Sequence, residues 1–240
     1  MFKRNHHNRI ATILQSINSS VLNEFKCYFG GGTAIALLKN EYRESIDIDF
    51  LVSDKIGYQK IRQLLTGQGI QAITRPDMLL ETARDIRADQ YGIRTMLRAG
   101  DAEIKFEIVF ESRIQLQTPP PDFKVCGIAH LTTLDLATTK MLANSDRWHD
   151  RGVRGRDLFD LAMLELTKSE FNLAIEKASD VYGESIIRDL EKAIKAFDED
   201  KDYLEECMKS LKINTVPKAV LWNNIRRIRQ WLKSNFASKK

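Results

Sequence analysis

A run of three glycines followed by two alternating aspartates constrains this chain more than any other feature. Residues Gly30–Gly32 are all glycine, and Ser45–Phe50 reads Ser-Ile-Asp-Ile-Asp-Phe. Glycines at a strand-to-helix turn let the backbone approach a phosphate group closely, and the following helix offers free N–H groups at its positive end. Because strand side chains alternate between two faces, Asp47 and Asp49 are predicted to lie on one face of a strand.

Two carboxylates on one strand face repel each other unless a cation lies between them. The usual cation is Mg²⁺ (or Mn²⁺), which takes oxygen ligands and leaves positions for phosphate oxygens. Asp47 and Asp49 are therefore predicted metal ligands and catalytic residues. Ile46, Ile48 and Phe50 are predicted to point into the core from the opposite face. The alternative is a solvent-facing strand edge.

Four residues of this region are candidates for binding phosphate oxygens: Gly31, Gly32, Thr33 and Ser45. Thr33 is also predicted to cap a helix over residues 34–39. A plain tight turn is the alternative interpretation of the glycines, and the aspartates on the next strand favour phosphate binding over it.

The order of four motifs resembles the DNA polymerase β nucleotidyltransferase superfamily, and within it the AbiEii/AbiGii toxin branch. The motifs, in chain order, are Gly31–Leu37, Ser45–Phe50, Asp135–Lys140 and Arg156–Leu161. Each motif is weak alone, but four in the right order are fairly specific. The resemblance covers roughly residues 8–166.

This resemblance implies a metal-dependent transfer of a nucleoside monophosphate from an NTP to an acceptor hydroxyl. It implies an RNA acceptor, in particular a tRNA 3′ end, and a toxin of a type IV toxin–antitoxin or abortive-infection system. Because type IV antitoxins need not touch their toxins, we expect a monomer without an obligate partner. The alternatives are nucleotidyl transfer to a small molecule or a protein, and a non-catalytic binding module with this fold.

The resemblance also implies roles for residues outside the glycine and aspartate motifs. Glu107 matches the third carboxylate and would be a metal ligand. Lys140 would bind the triphosphate and act in catalysis, with Asp157 as its catalytic acidic partner and Asp160 in support. The alternatives are an exposed strand face for Glu107, a lysine extending from a packed helix for Lys140, and a helix-capping acid for Asp157.

The predicted fold class is α+β. We expect a nucleotidyltransferase core over residues 1–117, with a small mixed sheet flanked by helices. An all-α domain over residues 122–240 would then contribute the lysine and an aspartate to the cleft. Pro119–Pro121 mark the boundary, because three prolines continue neither a helix nor a strand.

Periodicity predicts the individual elements. Besides the strand over 46–52 that carries the aspartates, the pattern predicts a helix over 8–25, strands over 26–29 and 70–74, a helix over 56–66 and a hairpin over 91–111. Residues 76–90 are ambiguous. The helices expected after the prolines span 131–145, 156–167, 169–181, 184–197, 201–211 and 217–236, the last with an apolar stripe and a basic outer face.

Composition excludes several classes of protein. The 43% hydrophobic and 29% charged residues are typical of a soluble globular protein. No uncharged apolar run approaches the ~20 residues that span a bilayer, and no apolar segment follows the basic N-terminus as in a signal peptide. Cys27, Cys126 and Cys207 are widely spaced, which favours reduced thiols, a cytoplasmic location and no zinc site.

The charge pattern permits contact with nucleic acid without requiring it. The formal net charge is +4. Four arginines, from Arg147 to Arg156, crowd one predicted loop together with Trp148. Such a loop would suit phosphates or an RNA end, with the indole stacked on a base. Salt links that bridge the two domains are the alternative.

Overall fold

The computed structural model describes residues 1–237, so residues 238–240 of the predicted helical domain lie outside the described residues. The chain forms two compact units. The first unit comprises residues 1–38 and 45–132, and the second comprises residues 39–44 and 133–240. The second unit therefore contains a short segment, Lys39–Glu44, whose neighbours on both sides belong to the first unit.

The first unit is a mixed sheet with flanking helices, as predicted. Its five-stranded sheet has the order β1-β2-β5-β4-β3, in which β2 and β5 are parallel and the other neighbours are antiparallel. The elements are α1 (Asn5–Ser16), α2 (Ser19–Glu24), β1 (Tyr28–Gly30), α3 (Gly31–Leu38), β2 (Ile48–Val52), α4 (Lys55–Gln68), β3 (Arg87–Ala88), β4 (Gly92–Ala99), β5 (Ala102–Phe110), β6 (Lys124–Val125) and β7 (Ile128–Ala129).

Aromatic side chains pack along the inner face of this sheet. The rings of Phe29 and Phe50 lie 5.6 Å apart between centroids, and those of Phe50 and Phe106 also lie 5.6 Å apart. All three side chains are buried. The two-residue period places them on one face of three neighbouring strands, which leaves the opposite face for polar side chains.

The predicted hairpin is confirmed as β4 and β5, which turn at Gly100 with φ +64°. The single helix predicted over 8–25 is wrong, because the chain breaks between α1 and α2. Ile17 forms an isolated bridge with Thr74 there. The Asn18 side chain then accepts hydrogen bonds from the N–H groups of Ser20 and Val21 and so starts a new helix.

The strand predicted over 70–74 is also wrong, since Ile70–Ile73 forms a short 3₁₀-helix. Ile70 and Ile73 are both buried, and their three-residue spacing places both on one side of such a turn. The ambiguous stretch 76–90 contains the short edge strand β3.

The division between the units follows Thr132 and lies beyond Pro119–Pro121. The hairpin of β6 and β7 follows the prolines and still belongs to the first unit. The N–H of Leu131 donates to the carbonyl of Phe29 at 2.9 Å, and His130 forms an isolated parallel bridge with Phe29.

The second unit contains every helix predicted after the prolines. They are α5 (Thr133–Arg147), α6 (Arg156–Met163), α7 (Lys168–Tyr182), α8 (Ser185–Glu199), α9 (Lys201–Ser210) and α10 (Lys218–Ala237). A capping box formed by Thr167 and Glu170 begins α7. Within the described range 1–237, no helix combines the length and apolar character that crossing a membrane requires.

The last helix buries the stripe that its periodicity predicts. Leu221, Ile225, Ile228 and Leu232 are buried in the second unit. The side chain of Phe236, which the pattern adds to this stripe, lies outside the described residues. The stripe therefore packs α10 into the core of its unit, as expected for an amphipathic helix.

Candidate active site

A row of charged residues crosses the polar face of the sheet in the first unit. Gly30 is paired in register with Asp49, Asp49 with Glu107, and Glu107 with Arg94. Asp49 and Glu107 thus lie directly opposite each other on the parallel strands β2 and β5. Side chains so paired lie about 5 Å apart at their Cβ atoms, so the two carboxylates repel unless a cation compensates them.

The Asp49 side chain lies against the first residue of α3. Gly31 has φ +67°, and a Cβ atom there would lie 2.5 Å from Oδ2 of Asp49. Only glycine meets both requirements, a left-handed backbone and space for the carboxylate. The glycine turn and the aspartate strand are therefore fitted to each other at the N-terminus of a helix.

We expect Gly31→Ala to cost about 1–3 kcal/mol, since it adds backbone strain and displaces the Asp49 side chain. Urea unfolding measures this cost. Gly67→Ala is the matched control, because Gly67 lies in α4 and nothing lies within 4 Å of an added Cβ. That control should be neutral or stabilising. Equal stability of both variants would contradict the fitted geometry.

Thr33 does not cap the helix, so that prediction is wrong. The helix begins at Gly31, and Thr33 lies inside its first turn. The Thr33 hydroxyl donates to the Asp47 carbonyl at 2.5 Å and lies 2.8 Å from the Ser45 hydroxyl. The Ser45 N–H in turn donates to Nε2 of the buried His7 at 3.2 Å. These contacts fix the segment that enters β2.

The strand begins later than predicted, at Ile48. Ile46 is 55% exposed, so its predicted place in the core is wrong, whereas Ile48 and Phe50 are fully buried. Asp47 precedes the strand, and its backbone carbonyl is the acceptor for Thr33. Alternation on a strand therefore applies to Asp49 and not to Asp47.

Two cations hold Glu107. Its Oε1 accepts from Nε of Arg94 at 2.5 Å, and its Oε2 accepts from Nζ of Lys105 at 2.6 Å. The hydrogen bond to Glu107 raises the pKa of Arg94. For Lys105, burial alone would lower the pKa, but the bond to Glu107 and the charges of Asp49 and Asp47 raise it. Both side chains thus remain cationic.

The donor set of the first unit suits a divalent ion through Asp47 and Asp49. Both are half-buried carboxylates, the hard oxygen ligands that Mg²⁺ and Mn²⁺ prefer. Glu107 is less suited, since both of its oxygens are bound to cations. Across residues 1–237, no three His, Cys, Asp or Glu side chains are arranged to hold a metal ion.

A buried cluster of charges occupies the second unit. Nζ of Lys140 lies 3.1 Å from Oδ1 of Asp157 and 2.7 Å from Oδ2 of Asp160. The Lys140 side chain is 7% exposed and the two carboxylates are almost fully buried. The resemblance assigned these three residues to one group, and the structure brings them into contact.

Sequence reasoning missed two members of this cluster, Tyr42 and Arg43. Arg43 binds Asp160 in a bidentate pair, with Nε 2.7 Å from Oδ1 and Nη2 2.9 Å from Oδ2. The Tyr42 hydroxyl also donates to Oδ1 of Asp160. Both residues lie in Lys39–Glu44, just before the aspartate motif. Their position beside that motif was a signal in the sequence that they lie near the site. It could not reveal that their partner is Asp160, more than a hundred residues further along the chain.

The arginine-rich loop is partly used for structure. Arg147 binds Asp157 through two hydrogen bonds of 2.7 and 2.9 Å. The guanidinium of Arg151 lies 5.1 Å from the centroid of the Tyr203 ring. Nζ of Lys192 lies over the indole ring of Trp148, 5.4 Å from its centroid. It therefore covers one of the two ring faces on which a base could stack. These contacts all lie within the second unit, so they hold the loop inside that unit and provide none of the predicted domain-bridging links.

The buried aspartates make stability depend on pH. Burial would raise the pKa of Asp160, but Arg43 and Lys140 lower it below the ordinary 3.8. Burial also opposes ionisation of Asp157, and the charges of Lys140 and Arg147 again lower its pKa. Because the folded state has the lower pKa, each group contributes stability above about pH 4 that is lost as the pH falls further.

We therefore expect the free energy of unfolding to fall steeply below about pH 4, by up to about 1.4 kcal/mol for each unit of pKa difference. Urea unfolding at a series of pH values from 7 to 3 measures the profile. Asp157→Asn should flatten the acid limb, since one of the two groups no longer titrates. A wild-type profile without an acid limb would contradict the lowered pKa values.

The structure places the predicted site residues in two groups. Gly31, Gly32, Thr33, Ser45, Asp47, Asp49 and Glu107 lie in the first unit, and Lys140, Asp157 and Asp160 lie in the second. Within the first unit, register pairing and hydrogen bonds connect the glycine turn, the serine and the carboxylates. Within the second, one ion-pair cluster connects the lysine and both aspartates.

Comparison with known proteins points to one family. Residues 12–223 match the family model described as nucleotidyl transferase AbiEii toxin, type IV TA system. This match extends beyond residue 166, where the resemblance between motifs ended. No curated protein matches the chain.

Two crystal structures from Helicobacter pylori share the fold. One, of a proposed nucleotidyltransferase, has a TM-score of 0.52 and 19% sequence identity, over 96% of this chain and 96% of that chain. The other, of JHP933, has a TM-score of 0.52 and 18% identity, over 99% of this chain and 97% of that chain. At these identities the likeness shows the fold alone, and the fold is the one predicted.

Proposed function

Because the chain belongs to the family of AbiEii nucleotidyltransferase toxins of type IV toxin–antitoxin systems, we propose that it transfers a nucleoside monophosphate from an NTP to a hydroxyl of an RNA, with Mg²⁺ or Mn²⁺ as cofactor. A tRNA 3′ end is the acceptor we favour. The cell would be harmed because a capped or extended RNA end no longer serves its function. A cognate antitoxin is the partner that the family implies.

The observation that carries the proposal is the position of Asp49. Its carboxylate lies opposite Gly30 in the sheet and against Gly31 at the start of α3. The start of α3 beside it presents backbone N–H groups at the positive end of a helix. Together they suit a bound metal–triphosphate, because the carboxylate takes the ion and the N–H groups take phosphate oxygens.

Different residues of the first unit would bind the metal ion and the phosphate groups. Asp47 and Asp49 would hold the ion, which when bound supplies positive charge to the phosphate oxygens and templates the nucleotide. N–H groups at the start of α3, including those of Gly32 and Thr33, would bind the β- and γ-phosphates. The Ser45 hydroxyl would donate to a phosphate oxygen. The acceptor hydroxyl would attack the α-phosphorus in line and give up its proton to water, while the bond from that phosphorus to the bridging oxygen breaks and pyrophosphate leaves.

The contacts of Glu107 and Lys140 bear on the roles that sequence analysis predicted for them. Glu107 as a third metal ligand stays a prediction, since Arg94 and Lys105 already bind both of its oxygens. Direct phosphate binding by Lys140 also stays a prediction. Its contacts with Asp157 and Asp160 favour a positioning role. The ammonium is only 7% exposed, and the two carboxylates beside it already compensate its charge.

Incubation with α-³²P-labelled NTPs, MgCl₂ and total RNA tests the proposal. We expect label on a narrow size class of RNA, lost when EDTA is added. Parallel reactions with a single labelled NTP each identify the nucleotide, and periodate treatment of the RNA blocks a 3′-end acceptor. Label on protein or on a small molecule would instead support the other acceptor classes. Absence of label with every acceptor would support the non-catalytic alternative.

We also propose that the protein is a monomer without an obligate partner, since type IV antitoxins need not bind their toxins. Light scattering at physiological and at high salt checks this directly. A dimer that persists at high salt would contradict it, because salt weakens association through charge and not through apolar burial.

A further inference from the structure

Lys105 is one of the two cations that bind Glu107 in the first unit. It lies on β5 two residues before Glu107, so both side chains are on the same face of the sheet. Its Nζ lies 2.6 Å from Oε2 of Glu107, and the charges of Asp49 and Asp47 also act on it. The ammonium thus binds one of the three carboxylates that sequence analysis assigned to a metal, and the register of β2 and β5 places Lys105 diagonally across from Asp49.

The facing carboxylates of Asp49 and Glu107 need a compensating cation. These two residues are directly opposite in register on β2 and β5. Like charges so placed destabilise a sheet. The ammonium compensates them from within the chain, in the region where a divalent ion would do the same.

Lys105 is also able to leave. Its side chain is 44% exposed and ends a flexible four-carbon stem. Glu107 is 12% exposed and would keep its second partner, Arg94, after Lys105 departs. Arg94 is tied more firmly, because it also binds Asp89 at 3.1 Å. Release of the lysine thus leaves no buried carboxylate unpaired.

We propose that Lys105 is an internal counter-cation that competes with the divalent metal for the carboxylates of the first unit. The ammonium binds Glu107 beside Asp49, and a divalent ion held by Asp47 and Asp49 displaces it toward solvent. Lys105 is on this view a positioning residue that sets the metal affinity. The inference rests on the proposed function, specifically on metal binding by Asp47 and Asp49.

Mn²⁺ titration followed by electron paramagnetic resonance tests the competition without any need for turnover. Lys105→Met should bind Mn²⁺ about tenfold more tightly than wild type, because it removes a positive charge that repels the ion and competes for the same carboxylates. Lys105→Arg should remain near wild type, since it keeps the charge. Lys124→Met, on β6, is the matched control and should change nothing.

A second measurement uses the wild-type protein, so it does not depend on how a variant folds. Acetylation of each lysine by a soluble reagent is followed by peptide mass spectrometry, with and without saturating Mn²⁺. We expect Lys105 to react several-fold faster with Mn²⁺ present, because its ammonium has lost the carboxylates, and Lys124 to react at the same rate in both.

The outcomes separate the two hypotheses. If wild type binds Mn²⁺, Asp49→Asn loses it and Lys105→Met binds no more tightly than wild type, the metal site stands and the competition is overturned. An unchanged acetylation rate for Lys105 overturns it as well. If neither wild type nor Lys105→Met binds Mn²⁺, the metal-binding part of the proposed function fails, and the competition fails with it.

Discussion

Replacing Asp49 by asparagine should reduce nucleotidyl transfer by at least about a thousandfold while the protein stays folded. The amide keeps the shape of the side chain and removes the charge that a divalent ion needs, and ion-mediated stabilisation of a phosphoryl transition state is worth several kcal/mol. Asp47→Asn should act in the same direction. Transfer of label from an α-³²P NTP measures the rates, and urea unfolding checks the fold.

The matched control is Glu103→Gln, which removes an exposed carboxylate from β5. We expect its transfer rate to remain within about twofold of wild type, since surface charges of this kind contribute little. Transfer by Asp49→Asn at a rate close to that of the control would show that the chemistry lies elsewhere in the molecule.

Replacing Asp160 by alanine should be among the most destabilising single changes, at about 3–5 kcal/mol. Its carboxylate is fully buried. It forms ion pairs with Arg43 and Lys140 and accepts a hydrogen bond from Tyr42. Removing one partner of a buried ion pair leaves the other charges uncompensated, and this costs more than the pair itself contributes. Equilibrium urea unfolding, compared at constant m-value, measures the loss.

An exposed ion pair in the same unit provides the comparison. Lys195 and Glu199 form an i,i+4 pair on α8, with side chains 70% and 65% exposed. Glu199→Gln should cost less than about 0.5 kcal/mol. If Asp160→Ala and Glu199→Gln lose similar amounts of stability, the buried cluster is not the anchor that its geometry indicates.

Local patterns in the sequence predicted the fold well, because the elements of this chain follow simple periods. The hairpin of β4 and β5 alternates cleanly, and the helices after Pro119–Pro121 repeat at 3.6 residues. The same two-residue period placed Glu107 on the polar face. Failures came where a tertiary contact overrode the period, as at Ile17, whose bridge to Thr74 interrupts the first helix.

The site was only partly predictable, for a different reason. Spacing identifies which residues share a face, but pairing between distant segments has no local signal. Nothing in the sequence around Arg43 indicates that it binds Asp160, and nothing around Lys105 indicates that Asp49 lies on the next strand. The predicted capping role of Thr33 failed for a related reason. Its hydroxyl forms hydrogen bonds with Ser45 and Asp47, in a later segment, and not with the nearby helix backbone.

The short segment Lys39–Glu44 makes the chain pass from one unit to the other three times, after Leu38, Glu44 and Thr132. A single cut therefore cannot yield two complete folding units. A fragment ending at Thr132 would carry Tyr42 and Arg43 without their acceptor, and its complement would bury Asp160 without its guanidinium. Truncation or recombination must therefore move Lys39–Glu44 together with the helices of the second unit, because neither unit keeps its contacts if the hexapeptide is assigned to the other.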